Sequence, residues 1–519
     1  MTSLEIYDTT LRDGSQQEGI SLTVSDKLRI AKLLDDLGVG YVEGGWPGAL
    51  PKDDEFFKRA RTEIDFKHAT LTAFGSTRRP RVTVTEDPQL DALLAAETEV
   101  ICIVGKAWDY HVLEALRTDL DEGLAMVGES IEYLKRLDRR VFFDAEHFFD
   151  GYRSDRDFSM NVLRTAYDAG AERLVLCDTN GGTLPHEVER IVEDVMTAIP
   201  GADIGVHFHN DAGTAVASSL AAVHVGARQI QGCVNGYGER TGNADLCAVI
   251  PDLAIKMGIP VVSDDQLAML APISHHVAEV VNITLDPHRP YVGSSAFTHK
   301  AGLHTSALAR RPDAYEHTNP VSVGNRTRML VSEQAGKASI FNKASELGLD
   351  MDDALAKQVL DQVKELEHNG YHFEAADGSF ELLVRRATGW EQTFFELESF
   401  RTFIERRADE AVVAEATVKV HVGGVRRVTT GEGDGPVHAL DQALRAALLD
   451  TYPAVGDLRL TDFRVRVLDS SDGTAAKVRV LIETSDHEGS WGTIGVHENI
   501  IEASWEALAD GIVVGLLRA

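Results

Sequence analysis

The sequence predicts an α/β protein whose largest part is a (β/α)8 TIM barrel. Short β-branched runs alternate with amphipathic helical stretches from residue 4 to about residue 257, which is typical of a parallel α/β fold. Eight strand candidates fall in that stretch, the number that a closed barrel needs. Reactive polar side chains follow several of these strands, at the end where such barrels build their binding sites.

The eight strand candidates are residues 4–7, 41–43, 69–74, 100–104, 140–146, 173–177, 204–209 and 228–233. An open, doubly wound sheet is the main alternative. Its nucleotide-binding form carries a G-x-G-x-x-G segment after the first strand, whereas the glycine-rich segment 236–242 follows the last strand and lacks that spacing. We therefore predict a closed barrel over residues 1–265.

Residues 266–385 form a different region, with a helical stretch at 333–369 and a turn signal at Asp377-Gly378. This region is too short and too polar to form a large core alone. We expect helical connecting subdomains that pack on a barrel, either that of the same chain or that of a partner subunit.

Residues 386–519 carry a third pattern, which predicts an α+β domain. Strands at 414–422 and 425–429 meet at Gly423-Gly424, a hairpin signal, and a helix follows from 436 to 449. Strands at 458–468 and 475–483 precede a last helix from about 498. This repetition suggests a duplicated strand-strand-helix unit without catalytic groups, so we expect a regulatory or dimerising domain.

The composition restricts the partners. The chain has 51 basic and 82 acidic residues among 519, a net charge of -31, which argues against nucleic-acid or anionic-membrane binding. An anionic substrate would need a local basic patch or a metal. The four cysteines form no C-x-x-C pair and lie mostly in apolar runs, as in reduced cytosolic proteins. Without a leader or a long apolar run, we expect a soluble, cytoplasmic protein.

Two histidines, His207 and His209, end the seventh strand candidate. Residues i and i+2 of a strand share a face, so both imidazoles would project together, as metal ligands do. For an H-x-H alone, two solvated histidines are the better interpretation. Three further segments at predicted strand ends favour a site instead: residues 8–14, 177–182 and 236–244.

These segments supply a mixed nitrogen and oxygen ligand set for a divalent cation: Asp13, His207, His209 and Asn243. The pattern leaves Mg²⁺, Mn²⁺ and Zn²⁺ open. Arg12, next to Asp13, stays protonated and is expected to stabilise a developing oxyanion. A structural salt bridge to a carboxylate at the barrel mouth is the alternative for this arginine.

Other candidates lie at the ends of neighbouring strands. Glu146 is expected to orient Arg12 or a water molecule, and the hydroxyl of Thr179 to bind a substrate carboxylate. Trp46 and Phe74 are expected to line the substrate pocket. A purely structural role is the alternative for each of these residues.

Four motifs occur in order along the chain: D-T-T-L-R-D-G at 8–14, H-x-H-N-D at 207–211, G-x-G-E-R-x-G-N-A at 236–244 and H-K-A-G-L-H at 299–304. Together they resemble the family of 2-isopropylmalate, homocitrate and citramalate synthases, metal-dependent enzymes that join acetyl-CoA to 2-oxo acids. The resemblance covers nearly the whole chain. Within the family, segment 43–53 is most similar to the citramalate synthases, because isopropylmalate synthases usually carry a smaller residue where Trp46 stands.

The resemblance implies roles for particular residues. Asp13, His207 and His209 become metal ligands, with Asn243 in or next to the coordination shell. Arg12 becomes the stabiliser of the oxo acid and the enolate, with Glu146 as its partner and Thr179 on the oxo-acid carboxylate. His304 and Tyr315 match a histidine and a tyrosine that act from the connecting region of a partner subunit, near the thioester.

The resemblance further implies a Claisen condensation of acetyl-CoA with pyruvate, followed by thioester hydrolysis, in a dimer or larger oligomer. Isoleucine would be the effector of the C-terminal domain. The basic cluster Arg78, Arg79 and Arg81 is a candidate for acetyl-CoA binding, with a solvated loop as the alternative.

Several rival functions remain on sequence grounds. These are another acceptor specificity, as in 2-isopropylmalate or homocitrate synthase, an acyl-CoA lyase or aldolase, and a non-catalytic amino-acid sensor. The related lyase that cleaves a CoA ester uses a cysteine in its glycine-rich loop, and segment 236–242 has none. The intact ligand set argues against a sensor with a decayed barrel.

Overall fold

The computed structural model describes residues 4–299, 311–329, 340–341, 344, 351–406, 412–468, 476–487 and 489–519. Eight parallel strands close into a barrel in chain order, with the eighth pairing to the first. They are β1 (Glu5–Asp8), β2 (Tyr41–Gly45), β3 (Thr70–Ser76), β4 (Val100–Lys106), β5 (Arg140–Glu146), β6 (Arg173–Asp178), β7 (Ile204–Phe208) and β8 (Gln229–Gly232). The predicted fold class is confirmed, and every strand candidate overlaps an observed strand.

Helices connect and cover these strands. They are α1 (Val24–Leu37), α2 (Pro51–Glu63), α3 (Pro88–Ala95), α4 (Leu120–Arg136), α5 (Phe148–Ser154), α6 (Arg156–Asp168), α7 (Pro185–Ala198), α8 (Ala215–Val225), α9 (Leu246–Pro251), α10 (Asp264–Leu267) and α11 (Leu270–Val281). Helix α1 begins with a capping box. The Thr23 side chain accepts from the amide of Asp26, and the Asp26 side chain accepts from the amide of Thr23. No described helix has the length and apolar character needed to cross a membrane.

Side chains fill the interior of the barrel. Tyr7, Tyr41, Phe74, Cys102 and Phe142 are buried members of one cluster there. The rings of Tyr41 and Phe142 meet edge to face with centroids 5.1 Å apart. Because the barrel is a packed core rather than a pore, a binding site can open only at the strand ends.

The described residues divide into two compact units. One is built from Met1–Phe297 and Glu316–Thr327 and contains the barrel; the other is built from Thr298–Tyr315 and Arg328–Ala519. The second unit contains a short parallel pair, β9 (Thr298–His299) with β10 (Arg328–Met329), and the helices α12 (Asp353–His368) and α13 (Asp377–Ala387).

The turn predicted at Asp377-Gly378 is wrong, because helix α13 begins at Asp377. An aspartate is favourable in the first turn of a helix, where it faces the positive end of the dipole. A side chain on Gly378 would press on the backbone of Gly492, so this glycine permits close packing rather than a turn.

The C-terminal residues form two antiparallel sheets, each of three strands and each followed by a helix. The first set is β11 (Phe395–Arg406), β12 (Val412–Val422), β13 (Val425–Gly433) and α14 (Pro436–Leu448); the second is β14 (Arg459–Val467), β15 (Val478–Ser485), β16 (Ser490–His497) and α15 (Ile500–Arg518). The predicted duplication is confirmed, but its unit has three strands rather than two. The hairpin is also confirmed: Val422 pairs with Val425, and Gly423 and Gly424 take φ of 56° and 78°.

Candidate active site

Three predicted ligands meet at the C-terminal end of the barrel. Nε2 of His207 lies 3.5 Å and Nε2 of His209 lies 3.9 Å from Oδ2 of Asp13. All three residues are buried. His209 falls just past β7 and forms an isolated bridge with Asn243, which brings the predicted fourth ligand to the same place.

The amide of Asn243 is held by two acceptors. Its Nδ2 donates to Oδ1 of Asp13 at 3.2 Å and to the carbonyl of Tyr237 at 3.0 Å. A side chain at Gly238 would collide with this amide, so the glycine-rich segment allows the backbone to approach it closely. The Oδ1 atom of Asn243 is buried and accepts no hydrogen bond from the described residues, as a free ligand oxygen would.

The ring of His207 is oriented by a hydrogen bond on its Nδ1 side. Its Nδ1 lies 2.9 Å from Oε1 of Gln231, whose Nε2 donates to Oδ1 of Asp144 at 2.9 Å. The amide oxygen is an acceptor only, so His207 carries its proton on Nδ1. Nε2, which faces Asp13, is therefore the ring nitrogen left to bind a metal.

The electrostatics of the ligands suit a cation. Burial alone would raise the pKa of Asp13, but Arg12 and the two histidines outweigh it and lower that pKa to about 2. Burial, reinforced by His207, lowers the pKa of His209 to about 4. One carboxylate and two imidazoles, beside a free amide oxygen, match the ligand set of a divalent cation.

Arg12 is held on two of its nitrogens. Its Nε donates to Oε1 of Glu43 at 2.5 Å and its Nη1 to Oδ2 of Asp13 at 3.1 Å. The guanidinium lies 3.8 Å above the ring centroid of Phe74. Tyr7 donates to Oε2 of Glu43 at 2.6 Å, so the carboxylate that orients Arg12 is itself oriented.

The predicted pairing of Arg12 with Glu146 is not found. Glu146 instead forms an ion pair with Lys106. The carboxylate that pairs with Arg12 is that of the buried Glu43. Sequence reasoning missed this role of Glu43. The available signal was an acidic residue within the strand candidate 41–43. The structure buries all five residues of β2, and a buried carboxylate needs a charged partner.

A cavity of about 360 Å³ opens beside these groups. Its lining includes most of the predicted site residues, namely Arg12, Asp13, Trp46, Phe74, Arg78, Arg79, Glu146, Thr179, His207 and His209. Trp46 and Phe74 form one wall, with ring centroids 5.3 Å apart at an interplanar angle of 83°. The Thr179 hydroxyl accepts a hydrogen bond from the amide of His147 at 2.9 Å, which leaves its own proton for another acceptor.

Family comparisons agree with this site. The HMGL-like model matches residues 3–277, the homocitrate synthase post-HMGL domain-like model matches residues 291–371, and the LeuA allosteric (dimerisation) domain matches residues 374–515. The chain belongs to the HMGL-like family. The barrel and its four metal-ligand candidates all fall inside the first match.

Relatives that match nearly the whole chain show which members of the family it resembles closely. The chain is 51% identical over 516 residues to the (R)-citramalate synthase of Aquifex aeolicus, covering 99% of this chain and 98% of that protein. It is 54% identical to the (R)-citramalate synthase of Streptomyces coelicolor, over 100% of this chain and 97% of that one. A probable 2-isopropylmalate synthase of Methanopyrus kandleri is 32% identical, over 98% and 97%. Identity is thus higher to these two citramalate synthases than to this isopropylmalate synthase.

The three predicted acetyl-CoA arginines differ from one another. Arg78 is buried and forms ion pairs with Glu122 at 2.6 Å and Glu129 at 2.7 Å, so its charge is already neutralised. Arg79 and Arg81 are exposed, although Arg79 also lies 3.6 Å from the carboxylate of Asp87. The two exposed arginines are therefore the better candidates for an anionic ligand.

The structure describes only one of the two candidates from the connecting region, Tyr315 and His304. Tyr315 is 42% exposed and belongs to the second compact unit. His304 lies outside the described residues. Their predicted roles remain predictions.

Proposed function

We propose that this chain is an (R)-citramalate synthase, which condenses acetyl-CoA with pyruvate and hydrolyses the thioester. One observation carries the proposal: Asp13, His207 and His209 converge beside Arg12 in a cavity at the barrel mouth. Similarity over nearly the full length to several (R)-citramalate synthases supports pyruvate as the acceptor. Free CoA thiol, followed against a panel of 2-oxo acids, tests it; pyruvate should be the best acceptor.

The chemistry divides among the residues. A divalent cation, whether Mg²⁺, Mn²⁺ or Zn²⁺, would be held by Asp13, His207, His209 and Asn243 and would polarise the carbonyl of the oxo acid. Arg12 presents its remaining N–H groups to the cavity and stabilises negative charge that develops on the same oxygen. The Thr179 hydroxyl donates to the carboxylate of the oxo acid.

A proton must leave the methyl group of acetyl-CoA before the carbon–carbon bond forms. We assign this step to His304, or to a water molecule that it activates, with Tyr315 nearby. The Glu146–Lys106 ion pair lines the same cavity. Water then cleaves the thioester and releases CoA as its thiol.

The cavity wall of Trp46 and Phe74 supports pyruvate as the acceptor. On this proposal the two rings would take the volume that a branched side chain on the oxo acid needs. Arg79 and Arg81 are proposed to bind the phosphates of acetyl-CoA. Replacing both with glutamine should raise the KM for acetyl-CoA and leave the KM for pyruvate unchanged.

The match to a dimerisation domain supports a homodimer, in which His304 and Tyr315 would serve the partner's site.

All four cysteines are free thiols, which supports a reducing cytoplasmic location.

Isoleucine is proposed as an effector of the C-terminal domain. A cavity of about 610 Å³ lies there, lined by apolar side chains and by the ion pair of Asp441 with Arg445, whose charges suit an amino acid. The apolar residues are Val437, Leu458, Leu460 and Phe463. Isoleucine should lower the rate of CoA release in wild type, and Leu460→Trp, which fills the cavity, should remove that inhibition.

A further inference from the structure

We infer that Gln89 is a positioning residue, which fixes the indole of Trp46 and so sets the size of oxo acid that the cavity accepts. The inference rests on the function proposed above. Gln89 is the second residue of α3 and lies behind the indole, outside the cavity lining. It would act on the acceptor only through Trp46.

The side chain of Gln89 bridges two neighbouring groups. Nε1 of Trp46 donates to its Oε1 at 2.6 Å, and its Nε2 donates to the carbonyl of Pro47 at 3.3 Å. Rotation of the indole would break the first of these bonds and leave a partly buried N–H without its acceptor. The amide therefore selects one ring orientation.

The backbone of Trp46 is anchored independently. Its amide donates to Oδ2 of Asp53 at 3.0 Å, and Oδ1 of Asp53 pairs with the buried Nζ of Lys27 at 2.5 Å. A side chain at Gly45, where φ is 147°, would collide with this ion pair. Since the main chain is fixed, rotation of the side chain is the freedom that remains, and Gln89 restrains it.

The backbone of Gln89 is also held by hydrogen bonds. Its backbone amide donates to Oδ1 of Asp87, the N-cap of α3, at 2.8 Å. The other oxygen of Asp87 accepts from the amide of Arg79 at 2.7 Å, and Asp87 is fully buried. The loop that carries the proposed acetyl-CoA arginines thus shares an anchor with the residue that holds the acceptor wall.

The orientation of the indole matters because of what it contacts. The ring packs edge to face on Phe74, and Phe74 lies under the guanidinium of Arg12. A rotated indole would enlarge the acceptor space and loosen the surface on which Arg12 rests. The first effect changes acceptor size, and the second changes the rate with every acceptor.

The test compares Gln89→Leu, which removes the acceptor oxygen, with Gln89→Glu, which retains it. Steady-state kinetics would be measured by CoA release with pyruvate and with 2-oxobutyrate. In Gln89→Leu the ratio of kcat/KM for 2-oxobutyrate to that for pyruvate should rise about tenfold, mainly through the KM values of the oxo acids. The KM for acetyl-CoA should not change. Gln89→Glu, which keeps the acceptor of the indole N–H but loses the donor to Pro47, should shift the ratio less than Gln89→Leu does.

Gln266→Leu, the same exchange at the start of α10, is the matched control and should keep the wild-type ratio. Gln89→Met, closer in size to glutamine, replaces the leucine variant if that one does not fold. An unchanged ratio in a folded leucine or methionine variant, with wild type active on pyruvate, overturns the inference alone. A wild type that releases no CoA with any oxo acid overturns the proposed function, and the inference with it.

Discussion

Glu43 Oε1 lies 2.5 Å from Nε of Arg12, and both groups lie at the barrel mouth beside the metal-ligand candidate Asp13. Burial raises the pKa of Glu43, whereas the charge of Arg12 opposes that rise. The Tyr7 hydroxyl occupies the second oxygen of the carboxylate. Arg12 is thus fixed by a carboxylate whose own contacts are already satisfied.

Replacing Glu43 with glutamine should therefore displace Arg12. The expected kcat with pyruvate is about 100-fold lower, because small displacements of a group that stabilises the transition state are costly. Breaking a buried pair should also lower the free energy of unfolding by about 3 kcal/mol. Denaturant unfolding and CoA release measure the two effects. Glu63→Gln removes one partner of the exposed pair with Arg59 and should change neither. A folded Glu43→Gln enzyme with wild-type kcat would contradict this role.

Gln231 is expected to control metal affinity through His207. Gln231→Leu removes the acceptor of the Nδ1 proton and should weaken metal binding about 10–100-fold. Titration calorimetry with Mn²⁺ or Zn²⁺ measures the dissociation constant. Gln229→Leu is the control: it changes the same residue type on the same strand, and the Gln229 amide has no hydrogen-bond partner among the described residues. Equal weakening in both variants would show a general effect on β8 instead.

The stability of the protein should depend on pH through Asp8. Burial raises the pKa of Asp8 to about 7, although hydrogen bonds from Thr10 oppose the shift. An unfolded aspartate titrates near 3.9, so the folded state holds the proton more tightly. The stability that this proton contributes is complete below about pH 4 and is lost as pH rises through 7.

Asp8→Asn removes this titration. From about pH 4 to pH 8, the free energy of unfolding of wild type should fall relative to Asp8→Asn by on the order of 4 kcal/mol. Urea unfolding in chelator measures it at both pH values. Asp65→Asn changes an exposed residue, and its curve should run parallel to that of wild type. Parallel curves for Asp8→Asn would refute the expected shift.

Trp46→Ala should relax acceptor choice directly. Without the indole, activity with pyruvate should fall, while activity with 2-oxobutyrate and 2-oxoisovalerate should rise, because steric exclusion by the ring is removed. The ratio of kcat/KM between acceptors is the measurement. A uniform loss with every acceptor would assign Trp46 to core packing alone.

Action across a dimer predicts complementation. A His304→Ala chain and a His207→Ala chain should each be inactive, yet mixing them should restore part of the activity through mixed dimers. Tagged chains would establish that mixed dimers form. If they form and remain inactive, His304 does not act on the partner's site.

Much of the barrel could be predicted from sequence because its strands are apolar runs that end in reactive groups. The strands β11 and β16 were missed for physical reasons. In β11, Phe395–Arg406, charged and apolar side chains are interleaved and most are exposed, so no buried face marks the strand. In β16, Ser490–His497, two glycines interrupt the pattern, and glycine is depleted in strands.

The ligand set could be predicted because Asp13, His207 and His209 follow from local rules about strand ends. The partner of Arg12 could not. Glu43 and Glu146 both end or nearly end a strand, and sequence does not reveal which carboxylate reaches the guanidinium across the barrel mouth. That choice depends on side-chain reach and on Lys106, which occupies Glu146.

The most direct test of the central claim is CoA release from acetyl-CoA and pyruvate by protein first stripped of metal and then resupplied. Chelated wild type should release no CoA, and added divalent cation should restore the rate together with citramalate as product. Asp13→Asn should stay inactive under both conditions while remaining folded, because asparagine has nearly the same size as aspartate and keeps one oxygen as an acceptor. Full activity in excess chelator would contradict the account.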